Sequence, residues 1–331
     1  MLIHLICSRH LPRFILGQVT NAQNPLSPYT MKATPTHYLA KAAALLLTAA
    51  SSNAAVLAYT IGNNGSALVS FDITNPGVTT VVGTISGAVP ILQGIDFRPA
   101  DGRLYGIGQS GQIVTINPNT AFTTLVSISS TNSSSGNLGI DFNPVADRLR
   151  LVNELDQNLR INVDTGAAVI DGALAYAAGD PNATRNPLII DAAYTNSDTN
   201  PATGTQLFYI DRGRDTLVST FLPNSGVLDT VGSLGFNTSD RTGFDIVSDG
   251  FGGNQAYALL TSPAGVASFH SINLATGAAT SLGAIGRGAV DPYGLAIAQT
   301  ASVSVPDSGA TIALLSVALG GVFAARRNFG V

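Results

Sequence analysis

A short string, Gly94-Ile95-Asp96-Phe97, returns 45 residues later as Gly139-Ile140-Asp141-Phe142. A third copy is Gly243-Phe244-Asp245-Ile246, Asp191-Ala192-Ala193-Tyr194 is a degraded copy, and Gly294-Leu295-Ala296-Ile297 is the last. The successive spacings are 45, 52, 52 and 51 residues. Self-similarity at such a period is the mark of a repeat architecture, in which one unit cannot bury its own faces and must stack on its neighbours. The flanks repeat too. Arg98-Pro99-Ala100-Asp101-Gly102-Arg103-Leu104-Tyr105 matches Asn143-Pro144-Val145-Ala146-Asp147-Arg148-Leu149-Arg150 position for position. Pro with Asp or Gly at that point makes a turn between two strands.

Further along each unit a strand ends in a turn: Ile113–Asn117 before Pro118-Asn119-Thr120, Leu159–Asp164 before Thr165-Gly166, and Phe269–Leu274 before Ala275-Thr276-Gly277. A short β-branched run follows, as in Thr123–Ile128 and Ala279–Ile285. Alternation is of period two, and helical spacing is absent through most of 56–300. Each unit thus predicts four short antiparallel strands, the content of a β-propeller blade. Four complete units start at 94, 139, 191 and 243. Ahead of them stand three strands only, Val56–Ile61, Ala67–Ile73 and Val78–Ile85, and behind them one orphan, Gly294–Ala298. Three plus one makes another blade, closed by pairing the two ends of the domain and so hiding edge strands. The fold class expected is all-β, a five-bladed β-propeller with 3+1 closure of the N- and C-terminal strands. Six blades or a pair of β-sandwiches are the alternatives.

The two ends read differently. Lys32, His37 and Lys41 precede an uncharged apolar run, Ala42–Ala50, and the small residues Ser51-Ser52-Asn53-Ala54-Ala55. That is the three-part plan of a signal peptide, a helix over 31–55 cleaved by signal peptidase near Ala54 or Ala55. Residues 1–30 then read as a non-native leader with translation starting at Met31, or else as a long basic lead-in to the signal. At the other end Val305-Pro306-Asp307-Ser308-Gly309 precedes Ala310–Ala325, a stretch without charge, and then Arg326-Arg327. An apolar helix over 310–325 would be roughly 24 Å long, slightly short of the hydrocarbon core of a bilayer. The arginine pair would hold the tail on the cytoplasmic side and place the main domain outside.

A short motif, an apolar helix and an arginine pair at a C-terminus resemble the PEP-CTERM class of bacterial sorting signals, here in its VPDSG form. The resemblance implies export, transient insertion in the inner membrane, and processing near the motif by an exosortase-type enzyme, with Pro306 and Asp307 central to recognition. The domain itself resembles the domain-of-unknown-function 4394 family of exported bacterial proteins. That likeness is carried by GIDFRPADGRLYGIGQSGQIVTINPNT (94–120), GIDFNPVADRLRLVNELDQNLRINVDTG (139–166) and SINLATGAATSLG (271–283). The family implies a propeller and brings no activity with it. The domains expected are a leader (1–30), a signal peptide (31–55), the propeller (56–300) and the sorting signal (301–331).

Composition narrows the function classes. Residues 56–305 hold ten Arg, no Lys, eighteen Asp and one Glu, a formal charge of 10 − 19 = −9. An acidic surface argues against nucleic acid and anionic lipid as partners. The single Cys is Cys7, so the domain cannot use disulfides. Paired-carboxylate hydrolysis, as in glycosidases, would have to work with abundant Asp and Glu154 alone, and no Trp is present to stack on a sugar. A Ser–His–Asp triad would need His270, the one His of this domain. That residue sits in a strand without a nucleophile elbow and reads as a half-exposed strand histidine.

Asp96, Asp141 and Asp245 share one repeat position. If their strand is innermost, three carboxylates face the channel as a ligand or metal site, and Ca²⁺ is the cofactor such oxygen ligands suit. The competing reading has each Asp capping a turn or pairing with an Arg such as Arg103, Arg148 or Arg241. No other cofactor is expected. The function expected is that of an exported, non-enzymatic binding or structural module at the cell surface or in the extracellular matrix, with polysaccharide as a partner. The alternative is an extracellular polysaccharide hydrolase acting through carboxylates at the channel mouth.

Overall fold

The computed structural model describes residues 55–131, 137–198, 200–288 and 290–299. The chain separates into two units, 1–53 and 54–331, and the described residues belong to the second. The expected signal peptide as far as Ala54, the motif Val305–Gly309, the apolar stretch 310–325 and Arg326-Arg327 all lie outside the described residues.

Five antiparallel sheets make five blades. The first blade runs, from the axis outward, Tyr293–Ile297, Leu57–Gly62, Ala67–Asp72 and Thr79–Thr84. Its innermost strand comes from the end of the domain and the other three from the beginning, which is the expected 3+1 closure. Registry is carried by Ala58 opposite Ile297, Tyr59 opposite Ala296 and Ile61 opposite Tyr293. The Thr60 hydroxyl adds a bond to the Gly294 carbonyl at 2.7 Å. The second, third, fourth and fifth blades begin with inner strands Leu92–Phe97, Leu138–Asn143, Ile189–Tyr194 and Thr242–Ser248. These five inner strands neighbour one another in blade order, and the fifth returns to the first. Closure removes the open inner edge that a single sheet would present.

The burial pattern explains the composition of each strand. Inner strands are closed in on both faces, as in Ile189–Tyr194, where every residue is buried. Outermost strands such as Thr79–Thr84 and Ala279–Ala284 are largely exposed and rich in Thr, Ser and Ala. In the second, third and fifth blades the turn between third and fourth strands is built by one device. Asn117, Asn162 and Asn273 accept backbone N–H bonds on Oδ1 from residues two or three further on, the local bond that favours Asn at turns. Two elements go beyond the expected four strands. Ser86–Gly87 and Ala175–Tyr176 add short parallel strands outside Phe122–Ile128 and Val227–Ser233.

The hydrophobic core is divided among the blade interfaces. Tyr59, Ile61 and Leu68 of the first blade pack on Leu92, Ile95 and Leu104 of the second. Similar clusters join second to third, third to fourth, fourth to fifth and fifth to first. Aromatic contacts reinforce them, such as Tyr105 against Phe142 at 5.3 Å and Phe71 against Phe269 at 5.1 Å. Packing between blades leaves the axis itself to other residue types.

Candidate functional site

Two features occupy that axis. The first is a cluster of carboxylates. Asp96, Asp141 and Asp245 each offer an oxygen, and these atoms all lie within 4.8 Å of one another. The residues are 6%, 2% and 3% exposed, so water does little to screen them. The fourth blade has Ala193 at the equivalent position and the first has Ala296, both buried and small enough to leave the centre to the three acids.

Each acid ties its own blade to the next. Asp96 accepts from the amide of Phe97 on Oδ1 (2.7 Å) and from Phe142 of the third blade on Oδ2 (2.8 Å). Asp245 accepts from Ile246 and, across the closure, from Ile297, both at 2.6 Å. Asp141 accepts from the amide of Tyr194 in the fourth blade. In every case the partner in the next blade follows the equivalent repeat position by one residue. Asp141 differs in one respect: its Oδ1 is buried and has no hydrogen-bond partner.

No arginine pairs with these acids among the described residues, contrary to one of the two sequence readings. Arg103 pairs with Asp101, Arg148 donates to the Ala146 and Asp147 carbonyls, and Arg241 pairs with Asp291. Arginines belong to the turns and rims in this fold, and the acids to the axis. Asp191, the first residue of the degraded copy, falls where Gly94 and Gly139 stand in theirs and is also buried, at 3%. Its charge adds to the field on Asp96 and Asp141. The register alone could have identified Asp191 as an axial acid, since its position in the repeat is countable.

Burial, above all, and then neighbouring carboxylates push Asp96 and Asp141 well above the ordinary carboxylate range. Burial raises Asp191 likewise, and takes Asp245 to about 7. The native state therefore binds more protons than the unfolded chain between the ordinary carboxylate range and roughly neutral pH. Stability from these groups is fully present below the unfolded value near 3.8 and is lost as pH rises through the folded values. In metal-chelated buffer, urea midpoints should accordingly fall from pH 5 to pH 8. Asp245 alone sets a scale of at most about 4 kcal/mol. A midpoint that rises over that interval would contradict the assignment.

The second feature is the mouth above this cluster. A cavity of about 190 Å³ is lined by the start of every inner strand: Gln93, Leu138, Ile190, Thr242 and Tyr293. With a rise near 3.3 Å per residue, the acids lie roughly 10 Å further along the same strands. Four amide side chains line it, from Asn64, Gln93, Gln109 and Asn137, beside the aliphatic Ile91, Leu92, Leu138 and Ile190. Asn137 donates to Asp240 at 3.4 Å, and Arg241 lies 4.8 Å from the centre of the Tyr293 ring. The side-chain oxygens of Gln93 and Thr242 are buried without a hydrogen-bond partner. Neither residue stood out in the sequence, because the mouth gathers scattered residues from all five blades.

The Glu and His of this domain lie away from the axis, each in contacts of its own. The only Glu of this domain, Glu154, is paired with Arg212. His270 is 3% exposed rather than half-exposed, since its strand is the third of the fifth blade and packs on the fourth. Its Nε2 lies 2.8 Å from the Ser268 hydroxyl, its ring edge meets Phe236, and burial lowers its pKa.

A closed five-bladed β-propeller, with a polar mouth over an axial ring of acids, is the class of protein these features define. The chain belongs to the family described as domain of unknown function (DUF4394), whose model matches residues 67–296. A VPDSG-CTERM motif matches residues 304–329 and marks an exported, cell-envelope-associated protein. No curated protein matches the chain. Among solved structures it is similar to a structural genomics protein of unknown function from Bacteroides thetaiotaomicron VPI-5482, at 14% identity and TM-score 0.41, over 60% of this chain and 52% of that one. The chain thus spans about half the length of that protein. It is also similar to Sqt1 of Saccharomyces cerevisiae (13%, TM-score 0.33, 69% of this chain and 59% of that one). A further similar structure is PorZ, a surface component of the type-IX secretion system of Porphyromonas gingivalis (12%, TM-score 0.34, 67% and 27%).

Proposed function

We propose that this protein is a non-enzymatic binding module, exported to the cell envelope or extracellular matrix, where the axial mouth holds a sugar unit of a neutral polysaccharide. The observation that carries this reading is the mouth's chemistry: amide side chains, a tyrosine, and two buried oxygens, on Gln93 and Thr242, that lack partners. Polyhydroxylated ligands supply the donors such oxygens need, and an unmet buried acceptor costs free energy until it is met. The domain's charge of −9 disfavours anionic glycans. Hydrolysis would call for two carboxyls flanking the bond in an open site. Asp240 is the one carboxylate lining the mouth among the described residues, and the axial acids are buried and bonded to backbone amides. These facts support binding over the hydrolase alternative. Sorting through the C-terminal motif would proceed by transient anchoring in the inner membrane and processing by an exosortase-type enzyme, after signal peptidase has acted near Ala54 or Ala55.

The test is calorimetric titration of the full chain with neutral and uronic-acid oligosaccharides, alongside an assay for new reducing ends. Binding of a neutral oligosaccharide without cleavage is expected. The double change Gln93→Ala and Thr242→Val should weaken it roughly tenfold or more, the scale of one or two lost hydrogen bonds. Cleavage of the oligosaccharide, or affinity untouched by the double change, would overturn the reading.

A further inference from the structure

We infer that Asp96, Asp141 and Asp245 together form a calcium site on the propeller axis, a structural cation that pins the second, third and fifth blades to one centre. Geometry comes first. Three points no more than 4.8 Å apart have a common centre within about 2.8 Å of each, close to the 2.3–2.6 Å at which Ca²⁺ binds oxygen. Small residues at the other two blades, Ala193 and Ala296, leave that centre free of side-chain bulk.

Hydrogen bonding points the same way. Both carboxylate oxygens of Asp96 and both of Asp245 accept backbone N–H bonds. Amide donors on both oxygens fix the two side chains at the axis and offset part of the cost of burying their charge. Three carboxylates this close, with no arginine bonded to any of them among the described residues, either hold protons or share a counter-charge that the protein does not supply.

A further observation is the Oδ1 of Asp141, which has no hydrogen-bond partner although the side chain is 2% exposed. A buried carboxylate oxygen left without a donor is costly, and a cation is the partner that would satisfy it without adding a residue. Hard oxygen ligands and no nitrogen or sulfur donors select Ca²⁺ over transition metals. Magnesium fits less well, because it demands a near-ideal octahedron at 2.0–2.1 Å and keeps several waters. The site is distinct from the mouth, whose carboxylate is Asp240.

The experiment is a calorimetric titration of the chelator-treated full chain with CaCl₂, paired with thermal melts. About one Ca²⁺ per chain is expected. A hundredfold excess over Kd should raise Tm by roughly 5–10 °C. Asp141→Asn should reduce affinity at least tenfold, while Asp240→Asn should leave it unchanged. If Asp141→Asn does not fold, uptake by the unaltered chain and by Asp240→Asn still decides the matter. No uptake at 10 mM CaCl₂, or uptake abolished by Asp240→Asn, would overturn the inference, leaving the trio to hold protons or placing the ion at the mouth. Oligosaccharide binding is read separately, so the two proposals fail independently.

Discussion

Replacing Arg150 by Ala should destabilise the protein by about 3–5 kcal/mol, the cost of breaking a buried ion pair from one side. Arg150 is 1% exposed and spans the interface between the third and fourth blades. Within the third blade its Nη1 donates to Asn158 Oδ1 and to Asp171 Oδ2, both at 2.7 Å. Toward the fourth blade its Nη2 donates to Asn224 Oδ1 at 2.8 Å and its Nε to the Tyr194 hydroxyl at 3.2 Å. Asp171 is itself buried and would keep only Arg160, which holds it from the half-exposed side at 2.7 and 2.9 Å. Asn158 and Tyr194, each 1% exposed, would lose a charged donor in a space that water does not readily enter, whereas the exposed Asn224 can turn to solvent. In a domain of this size the loss corresponds to a Tm lowered by roughly 10 °C. A urea midpoint within 1 kcal/mol of the parent would contradict this account.

The second large effect lies at the glycine that opens four of the five copies of the repeat. Gly243→Ala should cost about 3 kcal/mol, the upper part of the range for overpacking. The added Cβ would lie 2.6 Å from the carbonyl carbon and oxygen of Gly294 and 2.7 Å from Leu295 Cβ. Gly139 is pressed in the same way, with Asp191 Cα at 2.3 Å and the Ala192 nitrogen at 2.8 Å from the added carbon. These neighbours are largely backbone of the next inner strand, so a rotamer change cannot relieve the clash. Blades would have to part. Gly179→Ala is the control, because nothing stands within 4 Å of its added carbon. It should change stability by no more than about 0.5 kcal/mol. Equal effects at Gly243 and Gly179 in chemical denaturation would sink the close-approach explanation.

Both effects arise between blades, and so do the parts of the site that were hard to foresee. The three acids at one repeat position were visible from spacing. That they meet within 4.8 Å was not, because it depends on Ala193 and Ala296 occupying the two remaining blades and on the ring closing. The choice between turn caps, arginine pairs and a shared centre was likewise undecidable along the chain. The observed partners, the amides of Phe142, Tyr194 and Ile297, belong in each case to the next blade. Gln93 and Thr242 carried no signal at all, since each is a single polar residue in an otherwise ordinary strand.

The repeat by itself predicted the blade content and the closure by first and last strands, and favoured five blades over six, a count the closed ring of five sheets decided. It could do so because strand alternation, Asn-built turns and hairpin pairing are settled among residues a few positions apart, and the unit spacing merely counts them. The export motif is likewise local, a run of contiguous residues at 304–329. Tertiary structure alone decided which side chains bridge blades, why Gly139 and Gly243 must be glycine, and what gathers on the axis. Those contacts join residues about fifty positions apart, as in Asp96 with Phe142 and Asp245 with Ile297. Their distances are set by how five twisted sheets pack around a common line, a quantity no single unit of the sequence contains.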